Sequence, residues 1–254
     1  MEPMIVEFIG STGAGKTTLI EEVQRSLAKK VAVATPFDLV AERLGVRGVT
    51  NLSAQHLIQE FVGLPFFLRS LNQHKEFVVF TLRMLARQAN FTFFTINNLR
   101  SLERKIGAYE MIRRMNHDRI ILVDEGTLLT AHNVFVYTSA VYTSEEIARF
   151  ASLVPLPDTI IYIKAPVDIL VQRSLLRRDP PREIKSKNRA LIEKYIVRAA
   201  TMFDQLVEAE NIQCRLMIVE YHDFIKHGPD TVVDRITDFV LDKKISNYKT
   251  NSSH

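Results

Sequence analysis

Cysteine is almost absent: the chain has 254 residues and one of them, Cys214, is a cysteine. That excludes an intramolecular disulfide, gives no cysteine cluster for zinc, and suits a reducing compartment such as the cytoplasm. Long apolar runs are missing too. The longest uninterrupted stretch of apolar, glycine and proline residues, 61–68, is too short to cross a bilayer, so no membrane role is expected. The first apolar run, 4–9, has no basic segment before it and leads straight into a glycine-rich loop, so it reads as a strand and not as a signal peptide. The excess of positive charge is small, 33 lysines and arginines against 29 acids. Such a balance suits anionic ligands and does not by itself indicate nucleic acid. Internal repeats, low-complexity linkers and a guanine-reading N-K-x-D sequence are all lacking. What is left is ordinary globular composition, 46% hydrophobic, in a chain long enough for a substantial core.

Against that background one stretch is highly specific. After the apolar run 4–9, Gly10, Ser11, Thr12, Gly13, Ala14, Gly15, Lys16 and Thr17 fit G-x-x-x-x-G-K-[ST] at every fixed position, and Thr18 opens a helical pattern. Phosphate binding needs compact positive potential with many donors. Glycines let backbone N–H groups turn inward, the helix N-terminus adds its dipole, and Lys16 adds a full charge. The Thr17 hydroxyl is suited to Mg²⁺. Without N-K-x-D, ATP is the expected nucleotide.

Further along, 17–30 carries Leu19, Ile20, Val23 and Leu27 on one helical stripe, and 31–34 reads as a short second strand. The segment 51–117 shows no strand alternation and reads as two or three helices, best at 55–64, 77–89 and 99–115, with a strand still open at 90–97. A strand at 119–123 ends in Asp124-Glu125-Gly126. The run 128–142 reads as apolar and helical. Thr143 and Glu146 have the spacing of a capping box opening a helix to 153. A strand at 159–164, a helix at 168–178 stopped by Pro180-Pro181, a long helix at 189–210, a strand at 213–219 and a closing helix at 231–241 follow, with 243–254 as a frayed tail. Strands alternating with helices imply a parallel sheet covered on both faces, with ligands beyond the carboxyl ends of the strands.

Several residues are candidates for chemistry. Asp124, closing an apolar strand, is placed to hold Mg²⁺ directly or through water. Glu125 either orients a water, contacts an acceptor, or makes a salt bridge. Asp38 follows the second strand and is either a base for an acceptor hydroxyl or part of a helix cap. Between 173 and 189 lie Arg173, Arg177, Arg178, Arg182, Lys185, Lys187 and Arg189 against Asp179 and Glu183. Arg173 and Arg177 are one helical turn apart, so this segment reads as an arginine-bearing lid over a moving phosphoryl group, the alternatives being a solvated basic face or an RNA patch. Arg69, Arg83, Arg87 and Gln88, with His56 and His74, are either acceptor-holding residues or surface charges. Phe61, Phe66, Phe67, Phe91, Phe93 and Phe94 read as core before they read as a base-stacking wall.

Taken together, the chain resembles the thymidylate-kinase-like and deoxynucleoside-kinase-like branch of P-loop kinases. The loop 10–17, the strand ending Asp124-Glu125-Gly126, Pro157-Asp158 with an apolar strand running to Ala165-Pro166 and then Arg173 and Arg177, and a long helix with Tyr195 stand in the order those kinases have. Leu85-Ala86-Arg87-Gln88 is similar to the helix whose arginine holds the acceptor in thymidylate kinases. The resemblance implies one α/β domain with a three-layer P-loop fold, a helical acceptor-side insertion at 51–117, a short lid at 173–189, and ATP with Mg²⁺ as donor. It implies transfer of the γ-phosphoryl to a nucleoside or nucleotide. A sugar, antibiotic or other metabolite hydroxyl is the alternative acceptor, and a partner-binding ATPase the alternative class. Three features depart from the pattern. Asp124-Glu125 stands where those kinases have Asp-Arg, Lys164 stands where an acid often ends the fourth strand, and the insertion is long. The runs 91–96 and 128–142 offer apolar faces for a homodimer.

Overall fold

The strands β1 (Met4–Ile9), β3 (Ile120–Val123) and β4 (Thr159–Lys164) are almost wholly apolar and buried, as strands covered on both faces must be. With β2 (Val33–Ala34) and β5 (Leu216–Glu220) they make one all-parallel sheet of order β2-β3-β1-β4-β5. Register places Met4 beside Ile120 and Val6 beside Thr159. β1 is therefore central, and the crevice at its carboxyl end is the switch point where such sheets bind ligands. This is a three-layer α/β P-loop fold, here in a computed structural model that describes residues 2–46, 48–87, 93–115, 117–137, 141–177 and 188–251.

Period-two alternation divides β3 between two cores. Ile120 and Leu122 join the main cluster, with Leu19, Val23 and Leu27 of α1 (Lys16–Leu27) and Met202 and Phe203 of α8 (Arg189–Leu206). Ile121 and Val123 join a smaller one, with Leu39 and Val40 of α2 (Pro36–Leu44) and Met111 and Ile112 of α5 (Phe93–Arg113). The insertion is helical as expected, built from α3 (Leu52–Ser70), α4 (Lys75–Ala86) and α5, and residues 93–97 belong to α5 and not to a strand. α3 runs on through Pro65, where a break near 64 is the sequence expectation. The bond a proline removes there falls in a turn where Phe61 and Pro65 are exposed, so water can take the freed carbonyl. α3 and α5 meet at Gly63 and Gly107, where any Cβ on Gly107 would come within 2.7 Å of the Gly63 carbonyl oxygen.

Other expectations need correcting. The run 128–142 is not one helix. A turn leads into a π-helix (His132–Val136), closed by the Tyr137 amide donating to the His132 carbonyl at 3.1 Å, and this stretch is buried core. It therefore offers no dimer face over 128–136. α6 (Ser144–Leu153) does start at the capping box of Thr143 and Glu146. After α7 (Val167–Leu176), α8 stops at Leu206 and a short α9 (Glu210–Gln213) precedes β5. Another short helix, α10 (Tyr221–His227), lies where no element is expected. Of the residues read as a frayed tail, 243–251 continue the last helix, α11 (Pro229–Asn251), and 252–254 lie outside the described residues. Its polar end hides this in the sequence, but Lys244 pairs with Asp118 at 2.8 Å and Lys243 donates to the Cys214 carbonyl at 3.0 Å.

Candidate active site

The turn after β1 is a glycine-dependent loop. Gly13 and Gly15 sit at φ 86° and 93°, and a side chain at Gly10 (φ 144°) would strike the Ile163 carbonyl at 2.5 Å. Only so tight a turn presents backbone amides to one point and delivers the chain into the N-terminus of α1. Lys16 folds over the loop, its ammonium donating to the Gly10 carbonyl at 2.8 Å and the Ser11 carbonyl at 3.3 Å. Burial lowers its pKa, against the pull of Asp124 and Glu125.

Asp124 stands at the carboxyl end of β3, beside the loop. Thr17 Oγ1 donates to its Oδ2 at 3.0 Å. Two oxygens at that separation match adjacent ligands of an octahedral Mg²⁺, whose bonds of about 2.0–2.1 Å put neighbouring oxygens about 3 Å apart. The pair thus fits the ion that accompanies a nucleotide. Burial raises the Asp124 pKa, while Lys16 and the Thr17 hydroxyl oppose the rise.

On the β4 side, α7 brings Arg173 and Arg177 to the same cleft as the loop. The Arg173 guanidinium donates to the Gly13 carbonyl at 3.2 Å and lies 5.2 Å over the Tyr221 ring. Tyr221, Phe224 and Ile225 of α10 with Pro229 close this end. Lys164, in the position where an acid is usual, pairs with Asp204 at 2.8 Å.

On the β3 side the cleft continues beyond Asp124 between α5 and the π-helix, lined by Asn98, Ser101, Lys105, Leu129, His132, Asn133 and Tyr137. The whole cleft encloses about 1000 Å³. Residues 98, 101 and 105 are spaced three and four apart, which puts them on one helical face. Asn133 Nδ2 donates to Ser101 Oγ at 3.1 Å. Burial pushes the His132 pKa down to about 3, so the ring is neutral. A single π-turn inside a chain of this kind is a recurrent mark of a functional wall. Arg198 holds it, donating to the Phe135 carbonyl at 2.6 Å. Glu125 is paired with Arg104 of α5 at 2.9 Å. Burial raises its pKa, but Lys105, Arg104, His56 and Lys16 outweigh that and hold the carboxylate below the usual range.

Behind this wall is Glu7, fully buried in β1. It accepts from the Leu128 and Leu129 amides at 3.3 and 3.1 Å. A Cβ on Gly126 would fall onto its carboxyl group, so only glycine lets the turn after Glu125 close over Glu7. Burial pushes the Glu7 pKa up to about 7.

The expected donor residues thus come together: Thr12 to Thr18, Asp124, Glu125, Arg173 and Arg177 all line the cleft, and Ser11 lies just beneath it. Asp38 does not line it. Its carboxylate accepts from the Thr35 amide at 2.7 Å and the Thr35 hydroxyl at 2.8 Å, completing the capping box of α2. Arg69 is exposed on α3, Arg83 faces a separate shallow depression with Glu76 and Arg149, and Arg87 pairs with Glu146. None of these three lines the cleft, and Gln88, Phe91 and the lid positions 178–187 lie outside the described residues. His74 is buried and bonded to Glu110 at 2.7 Å. Asn98, Ser101, Lys105, His132 and Asn133 are the residues that the sequence reading missed. The only signal for them was polar side chains recurring at helical spacing among the apolar ones of α5.

No family model matches the chain, and no curated protein does. Among solved structures, the chain is similar to the shikimate kinase from Bacteroides thetaiotaomicron, at 12% identity and a TM-score of 0.43, over 94% of this chain and 98% of that one. It is also similar to the shikimate kinase from Acinetobacter baumannii in complex with shikimate, at 13% identity and a TM-score of 0.44, over 95% of this chain and 94% of that one.

Proposed function

We propose that the protein is an ATP-dependent phosphotransferase acting on a small-molecule hydroxyl. The observation that carries this is one continuous cleft in which the phosphate loop, on the central strand, separates an arginine–tyrosine end from a polar end built by α5 and the π-helix. A nucleotide hydrolase needs the first end only; a second furnished chamber beside Asp124 is what an acceptor requires. Lys16 and the loop amides would hold the β- and γ-phosphates, and Tyr221, Phe224 and Ile225 would flank the base. Mg²⁺, when bound by Thr17 and Asp124, supplies charge neutralisation between the phosphates. Arg177 and Arg173 would stabilise the negative charge that spreads over the γ-phosphoryl as the acceptor oxygen bonds to phosphorus and the bridging oxygen leaves with ADP.

For the acceptor's proton, Glu125 is the better candidate than Asp38. What supports it is position: Glu125 lines the cleft, whereas Asp38 is engaged in a helix cap. A carboxylate of low basicity is adequate where the transition state is loose and the proton leaves late. The comparison chains are shikimate kinases by name, and a hydroxylated metabolite is one acceptor class to include; a nucleoside or nucleotide is the other.

The test is to incubate the protein with Mg²⁺ and ATP, alone and with pools of nucleosides, nucleotides, sugars and hydroxy acids. ADP release that depends on an acceptor, with a phosphorylated product, supports the reading. Strong release without any acceptor refutes it in favour of an ATPase. Lys16→Ala is expected to abolish turnover while circular dichroism and thermal unfolding stay near wild type.

A further inference from the structure

Lys105 is a cation in an unusual setting. It lies on α5, 3% exposed, with its side chain lining the acceptor end of the cleft. Among the described residues no carboxylate lies within ion-pair distance of its ammonium group. The acids nearest in charge are already engaged: Glu125 with Arg104, and Glu7 with the amides of Leu128 and Leu129. Two turns away on the same face, Asn98 is 6% exposed, and its Nδ2 has no hydrogen-bond partner. A buried ammonium group without a partner and a buried amide donor left open both destabilise a fold unless something pairs with them. Both residues line one chamber, and together they define the missing partner. It is an acceptor-only group, compact and negatively charged.

We infer that the acceptor carries a carboxylate or phosphate group, which Lys105 and Asn98 hold at the end of the cleft away from Tyr221. This rests on the phosphotransferase reading for the word acceptor, though the anion site itself does not. Ser101 and Asn133 are bonded to each other on the facing walls and frame the same chamber. The neutral His132 beside them adds no charge of its own. Burial lowers the Lys105 pKa to about 8, which is what a cation awaiting its counter-ion displays. An anion in this position also explains why, among the described residues, the second chamber is built without carboxylates apart from Glu125 and Asp124 at its border with the loop.

The experiment fills the donor half first, with Mg²⁺ and a non-hydrolysable ATP analogue, so that the loop does not report. Calorimetry then compares matched pairs that differ in the anion: nucleoside 5′-monophosphates against nucleosides, sugar phosphates against sugars, and hydroxy acids against their methyl esters. Inorganic phosphate and acetate serve as bare probes. In parallel, modification of Lys105 by an amine reagent is followed by peptide mass spectrometry. In wild type, one anionic set binds at least about tenfold tighter than its neutral partners and slows modification of Lys105. Which set does so distinguishes phosphate from carboxylate. Lys105→Met abolishes that preference, and Lys105→Arg retains part of it. The inference is overturned if neutral members bind as tightly as anionic ones, or if no anion, bare probes included, protects Lys105. Acceptor-dependent turnover with neutral acceptors would sink the anion site and leave the kinase intact. Protection of Lys105 with no phosphoryl transfer would do the reverse.

Discussion

Glu7→Gln is the sharpest test of how the sheet supports the cleft. The acid is buried in β1 and its pKa stands at about 7, against 4.5 for an unperturbed glutamate, mainly because burial disfavours the charged form. The folded protein therefore holds this proton more tightly than the unfolded chain does. Between pH 4.5 and about 7 the folded state carries more protons, so the contribution of Glu7 to stability falls as pH rises through that window and is level above it. The gap between the two pKa values corresponds to roughly 3 kcal/mol, with no discount for solvent because the side chain is 1% exposed. Glutamine mimics the neutral acid. One oxygen still accepts from the Leu129 amide, and the amide nitrogen takes the place of Oε2, so the Leu128 amide loses its acceptor, equally at every pH. Urea unfolding at pH 5 and pH 8 is the assay. Relative to wild type, the variant should gain roughly 2–3 kcal/mol of stability between pH 5 and pH 8. A difference that stays constant between the two pH values would refute the reasoning, because it would mean that Glu7 titrates alike in the folded and unfolded chain.

Four further outcomes can be checked directly. Gly107→Ala forces a methyl group against the Gly63 backbone and should destabilise the α3–α5 pair by about 1–3 kcal/mol in chemical unfolding. Arg173→Ala removes both the contact with the Gly13 carbonyl and the cation over Tyr221, and should weaken ATP binding about tenfold by calorimetry. Asp38→Ala should cost about 1 kcal/mol of stability and change acceptor-dependent turnover by no more than a few-fold; a hundred-fold loss (about 2.7 kcal/mol) would return Asp38 to the role of base. Glu125→Gln should lower acceptor-dependent turnover by about 10²–10⁴ if Glu125 takes the proton, and a near wild-type rate would exclude it.

The donor half was legible from sequence because its information is local. Eight consecutive residues define the loop, and an apolar strand ending in Asp124 brings its own partner, Thr17, through ordinary parallel pairing of β1 and β3. The acceptor half was not legible because it exists only where α5 meets a π-helix about thirty residues later. In the sequence, Lys105 sits between Leu102 and Ile106, both of which become core, and nothing local tells a cleft-facing lysine from one that snorkels to the surface. Asp38 shows the opposite failure. Its relation to Thr35 was readable as a cap, but an acid after a strand also suits catalysis, and only the hydrogen bonds separate the two. Glu7 reads as one polar position in an apolar strand, and its significance depends on Gly126, more than a hundred residues away.

Asp124, Glu125 and Gly126 each face a different neighbour. Asp124 faces the loop through Thr17, Glu125 faces the insertion through Arg104, and Gly126 yields its space to Glu7. Arg104, from α5, puts a guanidinium beside Glu125, just past the end of β3. The guanidinium is carried by the helix that also bears Asn98, Ser101 and Lys105 of the cleft. A rotation or shift of α5 would move the ion pair and the anion-binding face together, because all four side chains ride on one rigid helix. The acceptor end and the acid that borders the donor end are in this way fastened to the same element.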